Sequence, residues 1–414
     1  MPPILVSNDP RTVEWVLKTN FENYEKGPLF FENQRPLLGH GIFNADGDTW
    51  RVQRKTASYL FHVKNFRDFM LKVFAEHTDD LTARIDTAAA TGSVIDLYDL
   101  LHRFTLDAFM EIGFGTPVHS LRSDEQLPFA VAFDRAQNIT SARMTMSPVQ
   151  RIVTEAITGE ARELNACVKV TDEFAKTVIR QRRAQMAAAG SDSELPADLL
   201  SRFLNMKQAD GTPYSDADLR DTVMNFVIAG RDTTAQGLSW AFFLLSKHPA
   251  VLAKIRAEIT QVLGDEFHLG ATEQDYAALT RQMPYTKAVF FEALRLYPSV
   301  PMEIKAAVHA DTLPDGTRVN PGDRIVWAPY AMARLPEVWG PDAEQFKPER
   351  FLDEQGGFVQ PNPFKYPVFN AGPRCAWDMA TMEGMACLVT LVHNYDFEVV
   401  KPEEVVYKVA LTCK

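Results

Sequence analysis

Apolar residues recur at three- and four-residue spacing through much of the first half of the chain, as in FRDFMLKVF at 66–74 and LHRFTLDAF at 101–109, so residues 9–190 are expected to be mostly helical with polar breaks. Residues 187–196 read as a surface linker, and Arg180, Arg182 and Arg183 before them as a solvated helix end. Ser215, with Asp218 three residues on, resembles a capping box, and nothing stops the next helix before His248-Pro249. About 32 residues at 1.5 Å each give a rod of roughly 48 Å, apolar on most sides and therefore buried along much of its length. Its middle reads Ala229-Gly-Arg-Asp-Thr-Thr-Ala235, a run of mediocre helix formers whose Thr hydroxyls can bond the preceding turn, so a bend or widening is expected there. Helices at 249–264 and 283–297 follow. Alternating apolar residues and turn signals at 313–327 predict a hairpin, residues 328–374 loops, and 377–393 a last helix. The class is mainly α with small β-sheets.

Composition narrows the possibilities. The chain has 414 residues, 46% of them hydrophobic and 27 of them Phe, enough for a large core in one big domain or a few smaller ones. A net charge of −11 argues against general nucleic-acid binding. Four widely spaced cysteines, 167, 375, 387 and 413, argue against a disulfide framework and for a reducing compartment. No apolar run reaches 18 residues, and the start lacks signal-peptide character. P-loop, GxSxG, strand-linked GxGxxG and HExxH patterns are all missing from the sequence.

Glu292-Ala-Leu-Arg295 puts an acid and a base on one helix face, a spacing common in exposed salt bridges. Here Val289, Phe290, Phe291, Leu294 and Leu296 surround the pair, which predicts burial and therefore a further charged partner. Phe346-Lys-Pro-Glu-Arg350-Phe supplies a candidate. AGRDTT on the long helix, EALR, FKPERF and a late Phe-x-x-Gly-x-Arg run beside a cysteine, in this order, resemble the cytochrome P-450 family of haem-thiolate monooxygenases.

The resemblance runs along nearly the whole chain and implies one haem-binding domain over residues 1–414, with haem b between the long central helix and the cysteine loop. It implies a buried structural triad of Glu292, Arg295 and Arg350. Trp50 and Arg54 match a WxxxR segment that contacts a haem propionate, a task suited to the guanidinium fork. Asp232 and Thr233 match the acid and alcohol that deliver protons during oxygen activation, with Ala229-Gly230 leaving room over the porphyrin. Phe369, Gly372 and Arg374 match the cofactor loop, and Cys375 the thiolate ligand of the metal. The family pattern Phe-x-x-Gly-x-Arg-x-Cys-x-Gly is here Phe369-Asn-Ala-Gly-Pro-Arg374-Cys375-Ala-Trp-Asp378, shorter by two residues between Arg374 and Asp378. Cys387, among Met385, Leu388 and Val389, reads as a buried structural thiol.

Segments at 20–28, 38–50, 127–133, 295–301 and 313–317 are similar to the eukaryotic fatty-acid omega-hydroxylases. That likeness implies a small lipophilic substrate in a long apolar channel. It also implies electrons from NADPH through a flavin-containing reductase docking on the cysteine side, with Arg51 and Lys55 as basic contacts. Relative to that subgroup, a membrane anchor before residue 1 and a β-hairpin after residue 414 are expected to be missing, so the full-length protein is expected at the cytosolic face of the endoplasmic reticulum membrane. Hydroxylation of a sterol or xenobiotic, or a haem-free member that binds ligands without catalysis, are the alternatives.

Overall fold

The computed structural model describes residues 3–60, 64–189, 198–207, 211–270, 272–374 and 378–413. Strand β1 (Ile4–Val6) leads into α1 (Pro10–Glu14), whose first turn is fixed by the Asp9 carboxylate accepting from the Arg11 amide at 2.9 Å. A wide π turn, Trp15–Thr19, extends α1. Next come β2 (Tyr24–Glu25), α2 (Gly27–Leu38), α3 (Gly47–Leu60), α4 (Lys64–Thr91), α5 (Leu97–Phe114), α6 (Pro128–Arg143), α7 (Pro148–Thr158), α8 (Glu160–Ala189) and α9 (Leu199–Asn205), the helical first half that the spacing predicts. Local chemistry sets these boundaries. Asp96 accepts from the Asp99 amide at 3.0 Å to open α5, and Ser147 and Gln150 cap each other reciprocally at the start of α7.

The end of α8 corrects the sequence expectation. Arg182 is buried, its guanidinium donating to Ser201 Oγ at 2.8 Å and to the Asp198 carboxylate. It continues the inward stripe of Ala175, Val178 and Ile179, so helical spacing carries it under α9 rather than into water. Of the linker expected over 187–196, residues 187–189 instead complete α8, since three successive alanines favour helix, and residues 190–196 lie outside the described residues.

The central rod forms as α10 (Asp216–Val227), a π segment (Ile228–Asp232) and α11 (Thr233–Lys247), 12, 5 and 15 residues in unbroken succession. The Ser215 hydroxyl accepts from the Asp218 amide at 3.2 Å and Asp218 Oδ2 accepts from the Ser215 amide at 2.9 Å, the capping box in full. The expected widening sits within 228–232, where the Thr233 hydroxyl donates to the Ala229 carbonyl at 2.6 Å. Helices α12 (Pro249–Leu263), α13 (Glu273–Ala277) and α14 (Pro284–Leu296) follow.

Strands β3 (Glu303–Ala307), β4 (Asp311–Thr312), β5 (Arg318–Val319) and β6 (Arg324–Trp327) replace the single predicted hairpin. Only β4 and β5 pair as one, while β6 leaves to join a four-stranded sheet of order β1-β6-β3-β2. All four residues of β6 are buried, which suits an inner strand between β1 and β3. The segment expected to be loop also holds α15 (Pro329–Met332) and α16 (Pro336–Trp339), and α17 (Asp378–Asn394) closes the helical body. One large apolar core joins the helices, and a smaller one, including Val16, Leu17, Trp327 and Ala371, underlies the sheet. Cys387 is fully buried in the first of these. Among the described residues, no helix is long and apolar enough to cross a membrane.

Candidate functional site

In the middle of the rod, Ile228, Gly230, Arg231, Asp232, Thr234 and Ala235 are buried, yet Ala229 and Thr233 are only half-buried. Four residues apart, these two share one helix face, so the widened segment presents a partly accessible face between buried neighbours. Gly230 does not belong to that face. A Cβ there would lie 1.9 Å from the Phe109 ring of α5, so this glycine serves close helix packing rather than clearance over a cofactor, a correction to the expectation for Ala229-Gly230. Asp232 is 2% exposed, with Oδ1 accepting from Arg231 Nη1 at 3.0 Å and Oδ2 from Gln137 Nε2 and from Thr412 Oγ1 at 3.2 Å. Its carboxylate thus engages α6 and the C-terminal segment, whereas the Thr233 hydroxyl engages its own helix.

Helix α3 carries the next group of expected residues. Trp50 is buried against Phe21, ring centroids 5.4 Å apart, and Arg54 Nε donates to the Pro373 carbonyl at 3.1 Å, tying α3 to the cysteine loop. Lys305 on β3 is fully buried with its ammonium 5.9 Å from the Phe21 ring centroid. An ammonium, a guanidinium and an indole N–H make this corner anion-seeking. In the loop, Phe369 packs 5.6 Å from the Phe291 ring. Gly372 has φ +60°, and a Cβ there would come within 2.3 Å of the Leu17 carbonyl oxygen, so only glycine fits. The turn Gly372–Arg374 precedes α17. Cys375 and the side chain of Arg374 lie outside the described residues, so the ligand expected at 375 has no geometry here. Among the described residues, no cluster of three His, Cys, Asp or Glu side chains could hold a metal ion.

Glu292, Arg295 and Arg350 are brought together. Arg295 donates to Glu292 at 2.6 and 2.9 Å, Arg350 Nε stands 3.4 Å from Glu292 Oε1, and the Lys347 amide donates to the same oxygen at 2.9 Å. Arg350 further holds the Trp339 carbonyl at 2.9 Å and the Asp342 carboxylate at 2.7 Å. Arg51, expected at a docking surface, already pairs with Asp48 at 2.6 Å and with Glu22, so its charge is largely offset.

Sequence reasoning missed several polar groups. Lys305 is recognisable only as a lysine on the inward side of an alternating strand, with Ala307 beside it. Asp134 and Gln137 form an i, i+3 pair on α6 that nothing in the local pattern sets apart. Glu383 on α17 is 1% exposed; burial pushes its carboxyl up to about 8, eased by the Thr234 hydroxyl.

An accessible helix face at Ala229 and Thr233, an anion-seeking corner at Trp50, Arg54 and Lys305, and a loop turned at Gly372 fit a flat, doubly anionic porphyrin, which defines a haem-protein class. The cytochrome P450 profile matches residues 1–411, and the chain belongs to the cytochrome P450 family. It is 38% identical to cytochrome P450 86B1 of Arabidopsis thaliana, over 98% of this chain and 74% of that protein. To cytochrome P450 704C1 of Pinus taeda it is 38% identical, over 98% and 81%, and to cytochrome P450 94C1 of Arabidopsis thaliana 38%, over 96% and 79%. The crystal structure of the cytochrome P450DA heme domain superposes with a TM-score of 0.78 at 24% identity, covering 99% of this chain and 85% of that one. The protein is a haem-dependent monooxygenase, an oxidoreductase that draws electrons from a redox partner.

Proposed function

We propose that this monooxygenase hydroxylates the terminal or near-terminal carbon of long-chain fatty acids, with electrons passing from NADPH through a flavin-containing reductase at the endoplasmic reticulum membrane. The omega-hydroxylase-like segments at 20–28, 38–50, 127–133, 295–301 and 313–317 support the substrate class. The observation that carries the site assignment is the accessible pair Ala229 and Thr233 within an otherwise buried stretch of helix.

In this assignment Cys375 would hold the iron through its thiolate, with Phe369, Gly372 and Arg374 of the same loop helping to hold the cofactor. Trp50, Arg54 and Lys305 hold the propionates by hydrogen bonds and charge. Bound haem supplies the iron at which dioxygen is activated, with thiolate donation favouring O–O cleavage. Thr233 donates its hydroxyl hydrogen to the Ala229 carbonyl, which leaves its oxygen to accept from a water on the accessible face. Asp232 delivers protons toward that water by turning from its present partners. Glu292, Arg295 and Arg350 lock the segment between α14 and the loop and do no chemistry.

A chain-length series of fatty acids, titrated against the haem spectrum, tests the substrate class, followed by product analysis with mass spectrometry. The expected result is a chain-length-dependent shift and a terminally hydroxylated product. A protein whose reduced carbon-monoxide spectrum is of the thiolate type but which ignores the whole series is a P450 of another lipophilic substrate, such as a sterol or xenobiotic.

A further inference from the structure

Helix α6 contacts both members of the Arg231-Asp232 pair. Asp134 and Gln137, three residues apart on one face, divide them: Asp134 takes the Arg231 guanidinium in two bonds of 2.6 and 3.1 Å, and the Gln137 amide donates to Asp232 Oδ2. Arg231 Nη1 also reaches Asp232 Oδ1 at 3.0 Å. One guanidinium therefore spans two carboxylates of unlike setting, the Asp134 side chain 37% exposed and that of Asp232 3%. Outside them, between α5 and α6, lies a cavity of about 260 Å³ lined by Asp96, Asp99, His102, Asp134 and Arg231 among others. Arg231 is the one described residue of the central rod on its wall, and the Arg231 Nε is buried without a hydrogen-bond partner. Thr412 Oγ1 stands 3.2 Å from both Asp232 Oδ2 and Gln137 Oε1, and its single hydrogen satisfies only one of them at a time.

We propose that Asp134 and Gln137 are positioning residues for Asp232, and that the α5–α6 cavity is the side from which water reaches the pair. By sharing the guanidinium, Asp134 keeps Asp232 from being clamped by a buried Arg231. A carboxylate held by two bonds from a buried arginine strongly favours its ionised form and gives up a proton poorly only because it seldom holds one. Gln137 aims Oδ2, and Thr412 offers a hydroxyl that exchanges between Gln137 and Asp232 as the carboxylate turns. This assignment rests on Asp232 being the proton source.

The test uses haem-loaded full-chain protein with reductase and NADPH, and compares Asp134→Asn, Asp134→Glu, Gln137→Leu and Asp232→Asn. Electrons are partitioned between organic product and peroxide in light and heavy water, a measurement that works as peroxide yield even without an identified substrate. Asp134→Asn and Gln137→Leu should each divert electrons to peroxide by about fivefold and raise the solvent isotope effect on NADPH consumption, with spectral substrate affinity within about twofold of wild type. Asp134→Glu should restore both readouts. Independently of turnover, thermal midpoints of the Asp134→Asn and Asp232→Asn single and double variants should be non-additive. Wild-type partition and isotope effect in Asp134→Asn, alongside altered values in Asp232→Asn, overturn the proposal. Wild-type behaviour of Asp232→Asn itself removes the relay, and this assignment with it. Should Asp134→Asn fail to retain haem, Gln137→Leu and Asp134→Glu decide by the same readouts.

Discussion

The Arg295 guanidinium grips the Glu292 carboxylate through two hydrogen bonds, 2.6 and 2.9 Å, where neither side chain is exposed at all. Removing one partner leaves a charge that neither water nor a neighbour can fully compensate. Arg295→Ala should therefore cost about 3–5 kcal/mol and prevent haem retention. Soret absorbance per mole of soluble protein is the measure, and a folded, haem-replete variant would refute the locking role.

Gly372→Ala places a methyl against the Leu17 carbonyl at a positive φ, so the turn entering the cysteine loop must shift. A loss of about 2–4 kcal/mol is expected, expressed as faster haem loss to apomyoglobin. Ala substitution at Gly316, where a Cβ would meet nothing within 4 Å, serves as a matched control for backbone strain alone.

Lys305→Met keeps the length of the side chain and deletes its charge from the anion-seeking corner. Haem affinity should fall about tenfold or more, and Arg54→Ala should weaken it further by also releasing the Pro373 carbonyl. Equal haem affinity in Lys305→Met and wild type would remove Lys305 from the propionate site.

Glu383 titrates at about 8 in the fold against an ordinary 4.5, so it remains protonated in the native state over a range where the unfolded chain is ionised. The stability associated with this group is fully present below about pH 4.5 and is lost as pH rises through about 8, on the order of 5 kcal/mol across that window. Glu383→Gln should flatten this slope. Chemical unfolding at about pH 5 and about pH 9 measures it, and a slope equal to that of wild type would show that Glu383 is ionised in the fold.

Thr233→Ala deletes a hydroxyl whose bond is to the carbonyl four residues back, a contact of little worth to stability. The thermal midpoint should barely move while the product-to-NADPH ratio falls about tenfold. An unchanged ratio counts against the role of Thr233.

The rod from 216 to 247 and its wide middle were legible because caps, a proline and a run of poor helix formers are local signals. The triad was legible in two parts: an ion pair surrounded by Phe290, Phe291 and Leu294 demands a partner, and the family resemblance supplied Arg350 as that partner. Lys305, Gln137 and Thr412 were not, since their importance comes from groups 95 or more residues away that only the tertiary fold brings near. The hairpin at 313–327 failed similarly, because alternation marks β6 as a strand and says nothing of which strand it joins. Arg182 was recoverable from its position on the Ala175, Val178 and Ile179 stripe, had the spacing been weighed above the charge.

The bond from Arg54 to the Pro373 carbonyl closes a loop of 319 residues. Its two sides emerge from the ribosome 319 residues apart, so α3 must wait for all the chain between before its partner exists. Contacts of such separation form late and slowly in folding. Haem therefore meets this part of its pocket only after residue 373 has been made, and cofactor supply acts on a chain with both walls present rather than guiding the fold from its first helices.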